Sequence, residues 1–97
     1  MSFGKTLKAL RTKKGISIKK MGPAIGLNYT YISKLENSKV NPSQKVVKKL
    51  SRYFKYSSDE LLATAGKIPK DIEEILKNHP IEAIEHLRSK FGGGKLK

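Results

Sequence analysis

No cysteine occurs among the 97 residues, which excludes a disulfide framework and any zinc site built on thiolates. No apolar run approaches the roughly 18 to 20 residues of a membrane span. The opening stretch MSFGKTLKALRTKKG lacks the apolar core of a secretory signal. These two absences lead us to expect a soluble, cytoplasmic protein with no membrane partner. Acids are also scarce where they would matter. Only Glu36 lies among the first 57 residues, which carry fourteen Lys and Arg, whereas residues 58–97 hold seven of each sign. The whole net charge of +13 therefore belongs to the first segment. A polyanion is its natural partner, because each phosphate neutralised releases condensed counterions.

Catalytic patterns are equally thin. The only histidines are His79 and His86, beside Glu82 and Glu85, and neither an HExxH motif nor a phosphate-binding glycine loop is present. Solvated surface histidines account for them, so the reading is of a protein that is not an enzyme, with no metal and no cofactor. There are no internal repeats and no long low-complexity segment. At this length the chain can bury one modest core, with room for an appended element.

What is present is concentrated between Ile16 and Pro42. Gly26-Leu27-Asn28 reads as a tight turn between two short helices. Gly26 can enter the left-handed conformation without steric cost, Leu27 can plug into a core, and Asn28 can cap the next helix. The second helix is predicted from Tyr29 to about Asn37. Ile32 and Leu35 share one face, and Tyr29, Thr30, Ser33, Lys34 and Asn37 share the other. That outer face holds hydrogen-bonding groups and no acid, the chemistry a helix needs to lie in a major groove.

The pattern G-I-S-x-x-x-M-x-x-x-I-G-L-N-x-x-Y-I-S-K-L-E-N-S-K-x-N-P-S, from Gly15 to Ser43, resembles the Cro and phage-repressor helix-turn-helix family, also called the XRE type. The resemblance extends from about Phe3 to Leu62. It implies an all-α, five-helix DNA-binding domain, usually dimeric, whose third helix reads operator DNA.

The flanking residues fit that plan. Helix 1 is predicted from Ser2 or Phe3 to Lys14, with Phe3, Leu7 and Leu10 inward and Gly15 as its stop. Helix 2 starts near Ser17 and presents Met21 and Ile25. Pro23 deprives the Lys19 carbonyl of a partner, so a kinked or shortened helix is expected there. Helix 4, about Gln44 to Phe54, carries Val46, Val47, Leu50, Tyr53 and Phe54 on one stripe. Ser57 and Glu60 suit a capping box that opens helix 5, which Gly66 ends. Pro69 and Pro80 read as first-turn prolines of two further amphipathic helices, about 69–78 and 80–91. The expected organisation is thus a DNA-binding domain over 1–66, a short two-helix C-terminal extension over 67–91, and a disordered tail over 92–97.

The resemblance also assigns roles. Tyr29, Thr30 and Lys34, and less firmly Ser33, occupy places where recognition-helix side chains reach base edges. Lysine can donate to guanine, and threonine can bond a base or pack its methyl on thymine. Asn28, Asn37, Ser38 and Lys39 match positions that hold the sugar-phosphate backbone. The family often has glutamine where this chain has Ile18, so a contact there must come from the backbone N–H or from Lys19 or Lys20, and Ser17 joins Lys19 among the residues expected to hold the DNA backbone. Glu36 is an acid on the helix most in need of positive potential. The resemblance pairs it with Arg11 on helix 1, as a structural ion pair.

The neutral extension, with apolar stripes along Ile68, Ile72, Ile75, Leu76 and Ile81, Ile84, Leu87, Phe91, needs a surface to cover. Two readings stand side by side. In one, a homodimeric repressor uses 67–91 to dimerise on a pseudo-palindromic operator of double-stranded DNA. In the other, an antitoxin-like or defence or phage-system regulator uses it to bind a protein partner.

Overall fold

The computed structural model describes residues 2–92, and every regular element among them is an α-helix. In chain order these are α1 Phe3–Lys14, α2 Ile18–Ile25, α3 Tyr29–Glu36, α4 Gln44–Phe54, α5 Ser58–Thr64, α6 Lys70–Asn78 and α7 Pro80–Phe91. The all-α class expected from the residue pattern is the one observed.

Local chemistry sets the boundaries. Each of the first five helices begins on a Ser or Asn whose side-chain oxygen accepts a backbone N–H that has no partner within the helix. Ser2 accepts from Lys5, Ser17 from Lys20, Asn28 from Thr30, Ser43 from Val46 and Ser57 from Glu60, over 2.8 to 3.2 Å. A cap of this kind stabilises its helix by about 1 kcal/mol. Left-handed residues close the other ends. Three are glycines, but Ser38 (φ 59°) and Lys55 (φ 53°) serve after α3 and α4. There the closing bonds are Lys39 N–H to the Lys34 carbonyl at 2.8 Å and Tyr56 N–H to the Ser51 carbonyl at 2.9 Å. Pro23 lies inside α2 without ending it, and the helix runs on to Ile25. Pro69 stands just before α6, in extended backbone, rather than in its first turn, whereas Pro80 is the first residue of α7.

The described residues separate into two units between Lys67 and Ile68. In the first, Phe3, Leu7, Met21, Ile32, Leu35, Val47, Leu50, Leu61 and Leu62 form one buried cluster to which all five helices contribute. Each such side chain contributes about 1.5 to 3 kcal/mol by leaving water. Leu10, Ile25, Tyr53 and Phe54 are partly buried against it. α1 packs on α3 and α5, and α4 on α5 and α2, with α2 also against α3. Among the described residues, no buried side-chain nitrogen or oxygen lacks a hydrogen-bond partner.

In the second unit α6 packs on α7 as a helical hairpin, and neither helix buries a residue. Gly92 belongs to the end of α7, its N–H donating to the Arg88 carbonyl at 2.8 Å. The rest of the tail expected to be disordered, residues 93–97, lies outside the described residues. No helix among the described residues is long and apolar enough to cross a membrane.

Candidate nucleic-acid interface

The turn between α2 and α3 is built by two glycines with different jobs. Gly26 sits at φ 72°, ψ 33°, a conformation that costs most residues about 1 to 2 kcal/mol and glycine nothing. It lets Leu27 N–H reach the Gly22 carbonyl at 2.9 Å. Gly22 supplies space, since a Cβ there would stand 2.6 Å from the Leu27 carbonyl oxygen. Leu27 is half-buried against the core, and Asn28 Oδ1 accepts Thr30 N–H at 2.8 Å.

α3 leaves this turn with Ile32, Leu35 and Glu36 buried. Thr30 and Lys34 are exposed and Tyr29 is 53% exposed, so the residues assigned to base edges face solvent together. Ser33 is less available. It is half-buried, its carbonyl accepts Asn37 Nδ2 at 3.0 Å, and its hydroxyl lies 3.5 Å from the same amide. Tyr31 is half-buried and packs on the core.

The residues assigned to the phosphate backbone surround this face, and several of their polar groups are already engaged within the chain. Ser17 and Asn28 are exposed caps, leaving the Ser17 hydroxyl proton and the Asn28 amide nitrogen to donate outward. Asn37 spends one of its two amide protons on Ser33. The backbone N–H groups of Ser38 and Lys39 are both consumed by α3, donating to the Leu35 and Lys34 carbonyls at 3.2 and 2.8 Å. What Ser38 and Lys39 offer an anion must therefore come from the Ser38 hydroxyl and the Lys39 ammonium, both on exposed residues. Lys19 reaches across from α2, its Nζ 5.9 Å from the centre of the Tyr29 ring. This cation–π contact joins a phosphate candidate to a base candidate.

Glu36, the single acid of the first 57 residues, is turned away from the outer face. Arg11 Nε donates to its Oε2 at 2.6 Å and Nη2 to its Oε1 at 3.1 Å, while Nη1 donates to the Ile16 carbonyl at 3.0 Å. The side chains are 16% and 4% exposed. The hydrogen bond to Glu36 raises the Arg11 pKa above the ordinary guanidinium value, against the opposing effect of burial. With the carboxylate paired in this fork, the outer face of α3 carries Lys34 and no acid. Besides Arg11, nine further basic residues of the first 57 lie outside the helix-turn-helix, on α1, on α4 and at Lys55.

One supporting residue was not anticipated from the sequence. A Cβ at Gly4 would stand 2.6 Å from the Glu36 carbonyl oxygen, 2.7 Å from that of Leu35 and 2.9 Å from Ser38 Oγ. α1 thus rests directly on the end of α3 and on the loop that follows it. A glycine inside a helix, where it costs up to about 1 kcal/mol, is the signal that marks such an approach.

Away from this face, His79 Nδ1 lies 3.6 Å from Glu82 Oε1, on exposed side chains. No group of three or more His, Cys, Asp or Glu that could hold a metal is found among the described residues.

The model of the helix-turn-helix family matches residues 7–61. Among curated relatives, the uncharacterized HTH-type transcriptional regulator RghRB of Bacillus subtilis (strain 168) is 34% identical over 74 residues, covering 75% of this chain and 53% of its own length. The SPbeta prophage-derived uncharacterized HTH-type transcriptional regulator YonR of the same organism is 36% identical over 77 residues, covering 78% and 69%. The chain thus spans about half the length of the first and about two-thirds of the second. No solved structure matches it significantly.

Proposed function

The chain belongs to the helix-turn-helix family, in its Cro and phage-repressor (XRE) branch, and from that premise we propose that it is a sequence-specific, double-stranded-DNA-binding transcriptional regulator that seats α3 in the major groove. The observation that carries this reading is the division of α3. Tyr29, Thr30 and Lys34 stand exposed on one side, and the only nearby acid is buried on the other in a salt bridge.

In this reading Thr30 and Lys34 bond base edges, Tyr29 adds a contact at the start of the helix, and Ser33 is secondary because its polar atoms are partly engaged. Ser17, Lys19, Asn28, Asn37, Ser38 and Lys39 hold phosphates on either side and fix the register. The protein acts as a repressor and as a homodimer, its α6–α7 hairpin joining two copies. The two recognition helices then meet a pseudo-palindromic operator with half-sites roughly 34 Å apart. The exposed apolar side chains of α6 and α7 support an association role for the hairpin. A different protein as its occupant is the alternative.

Selection of bound duplexes from a random pool, with the oligomeric state measured on the same sample, tests the proposal. The expected outcome is an inverted repeat bound by a dimer. An absence of enrichment over random sequence refutes specific recognition. A specific site without internal symmetry, bound by a monomer, refutes the dimer and leaves the DNA reading in place.

A further inference from the structure

The outer face of α4 carries cations and no acid. Lys45, Lys48 and Arg52, spaced three and four residues apart, fall on one stripe and are all exposed. Lys55 follows at the C-cap and is exposed as well. Residues three or four apart on a helix are neighbours, and like charges at that spacing repel, so the stripe destabilises α4. No acid relieves it. α5 packs against α4 and brings Asp59 and Glu60, yet among the described residues no carboxylate lies within 4 Å of these cations.

A face kept only for solubility is better served by both signs interspersed. α6 and α7 have that mixture, with Asp71, Glu73 and Lys77 on one and Glu82, Arg88 and Lys90 on the other. α1 also lacks acids, but Ala9 and Thr12 interrupt its exposed face. Lys55 adds a second cost, because it holds a left-handed conformation (φ 53°, ψ 45°) that glycine adopts freely. A lysine is retained there against both repulsion and backbone strain.

The spacing of the stripe fits a phosphate backbone. At 1.5 Å per residue, Lys45 and Arg52 stand about 10 Å apart along the helix axis, and one strand of duplex DNA presents a charge about every 3.4 Å. The stripe therefore lies beside roughly three phosphates of a strand, with a cation for each. Lys49, half-buried on the flank of the stripe, brings its Nζ to 3.7 Å from where a Cβ at Gly26 would stand. Positive charge thus continues from α4 to the turn before α3, where Asn28 is a phosphate candidate. The stripe is nonetheless separate from the recognition face, since α4 packs mainly on α5 and α2, and α3 on α1 and α2. Resting on the DNA reading above, we propose that Lys45, Lys48, Arg52 and Lys55 form a second phosphate-binding surface, which holds the backbone of the duplex beyond the half-site read by α3.

The test uses the full chain and a duplex enriched from the random pool, in two forms. One is trimmed to the base pairs that the selection fixes, and the other is extended on each side by one helical turn of random sequence, about 10 base pairs. Lys45→Gln, Lys48→Gln and Arg52→Gln are combined in one variant, and Lys5→Gln, Lys8→Gln and Lys13→Gln on α1 in a charge-matched control. In low salt the unaltered chain should bind the extended duplex at least about tenfold more tightly than the trimmed one. The α4 variant should abolish that gain and, on the extended duplex alone, lower the slope of log K against log salt by about 2 to 3, at about 0.9 per phosphate. Its Tm should not fall, since repelling pairs are removed, and the α1 control should keep the gain. Lys55→Gly should raise Tm yet lower the same slope by about 1, a pairing that a merely structural lysine would not show. Equal losses from the α4 and α1 variants would mean that net charge alone matters, and would overturn the proposal. So would a loss by the α4 variant on both duplexes alike, or no gain from the added flanks, either of which leaves recognition by α3 standing. If the selection enriches no duplex, the reading beneath the proposal falls and the proposal falls with it.

Discussion

Replacing Glu36 by alanine removes the anchor between α1 and α3, and the geometry sets the size of the effect. Arg11 makes three hydrogen bonds, of which those at 2.6 and 3.1 Å go to Glu36, and only the 3.0 Å bond to the Ile16 carbonyl survives. Taking one partner from a buried pair costs about 3 to 5 kcal/mol, because the other charge is left without compensation. Arg11 retains some contact with water, so the lower figure applies, about 3 kcal/mol. A domain of this size has about 5 kcal/mol of stability in total, so Glu36→Ala should remove more than half of it. A loss of 3 kcal/mol lowers Tm by about 12 to 24 °C in a domain this small. Glu36→Gln keeps an acceptor for one Arg11 bond and should lose about 1 to 2 kcal/mol. Because the Arg11 pKa is raised by this contact, the stabilisation linked to the arginine's own titration is lost only in strong base, as pH rises through the raised guanidinium value.

The assay is urea unfolding of the full chain, followed by circular dichroism, on a cycle of Glu36→Ala, Arg11→Ala and the double variant. The reasoning requires a coupling energy of at least about 1.5 kcal/mol, little changed by salt, since a buried pair is weakly screened. Coupling below about 0.5 kcal/mol would refute it. So would a Glu36→Gln variant of unchanged Tm that binds DNA more tightly, since Glu36 would then act only by repelling phosphates.

Three further outcomes follow from the same geometry. Gly22→Ala forces its new Cβ to 2.6 Å from a backbone oxygen and should destabilise by about 1 to 3 kcal/mol, and an unchanged urea midpoint would show that the turn can open freely. Lys55→Gly relieves a lysine held at φ 53° and should stabilise by about 0.5 to 1 kcal/mol, visible as a raised Tm. Lys39→Ala should weaken cognate and scrambled duplexes alike and reduce the slope of log K against log salt by about 1, while Lys34→Ala should cost about 1 to 3 kcal/mol on the cognate site and relax one base position. Equal losses on both duplexes for Lys34→Ala would remove its base-reading role.

Much of the fold was legible because its signals are local. Ser2, Ser17, Asn28, Ser43 and Ser57 each mark a helix start within one turn of chain, and the spacing of Phe3 and Leu7 or of Ile32 and Leu35 marks a buried face. The left-handed closures at Ser38 and Lys55 were not legible in the same way. Neither residue type prefers that conformation, and the helices end there because the following N–H groups find α3 and α4 carbonyls. The pairing of Arg11 with Glu36 came from family resemblance, since nothing in their spacing brings them together.

By itself the sequence determined the all-helical class, the segregation of positive charge into the first 57 residues, the position of the turn at Gly26-Leu27-Asn28 and the two faces of α3. These depend on residue type and periodicity over a few turns of chain. Only the tertiary structure decided which polar atoms remain free on that outer face. It consumed the Ser38 and Lys39 backbone donors, engaged Asn37 with Ser33, brought Lys19 over Tyr29 and seated Gly4 on the end of α3. The Ser38, Lys39 and Asn37 bonds close within five residues but need the particular backbone conformation at the end of α3, while the Lys19 and Gly4 contacts join residues ten or more apart in the chain, and residue type and periodicity encode neither.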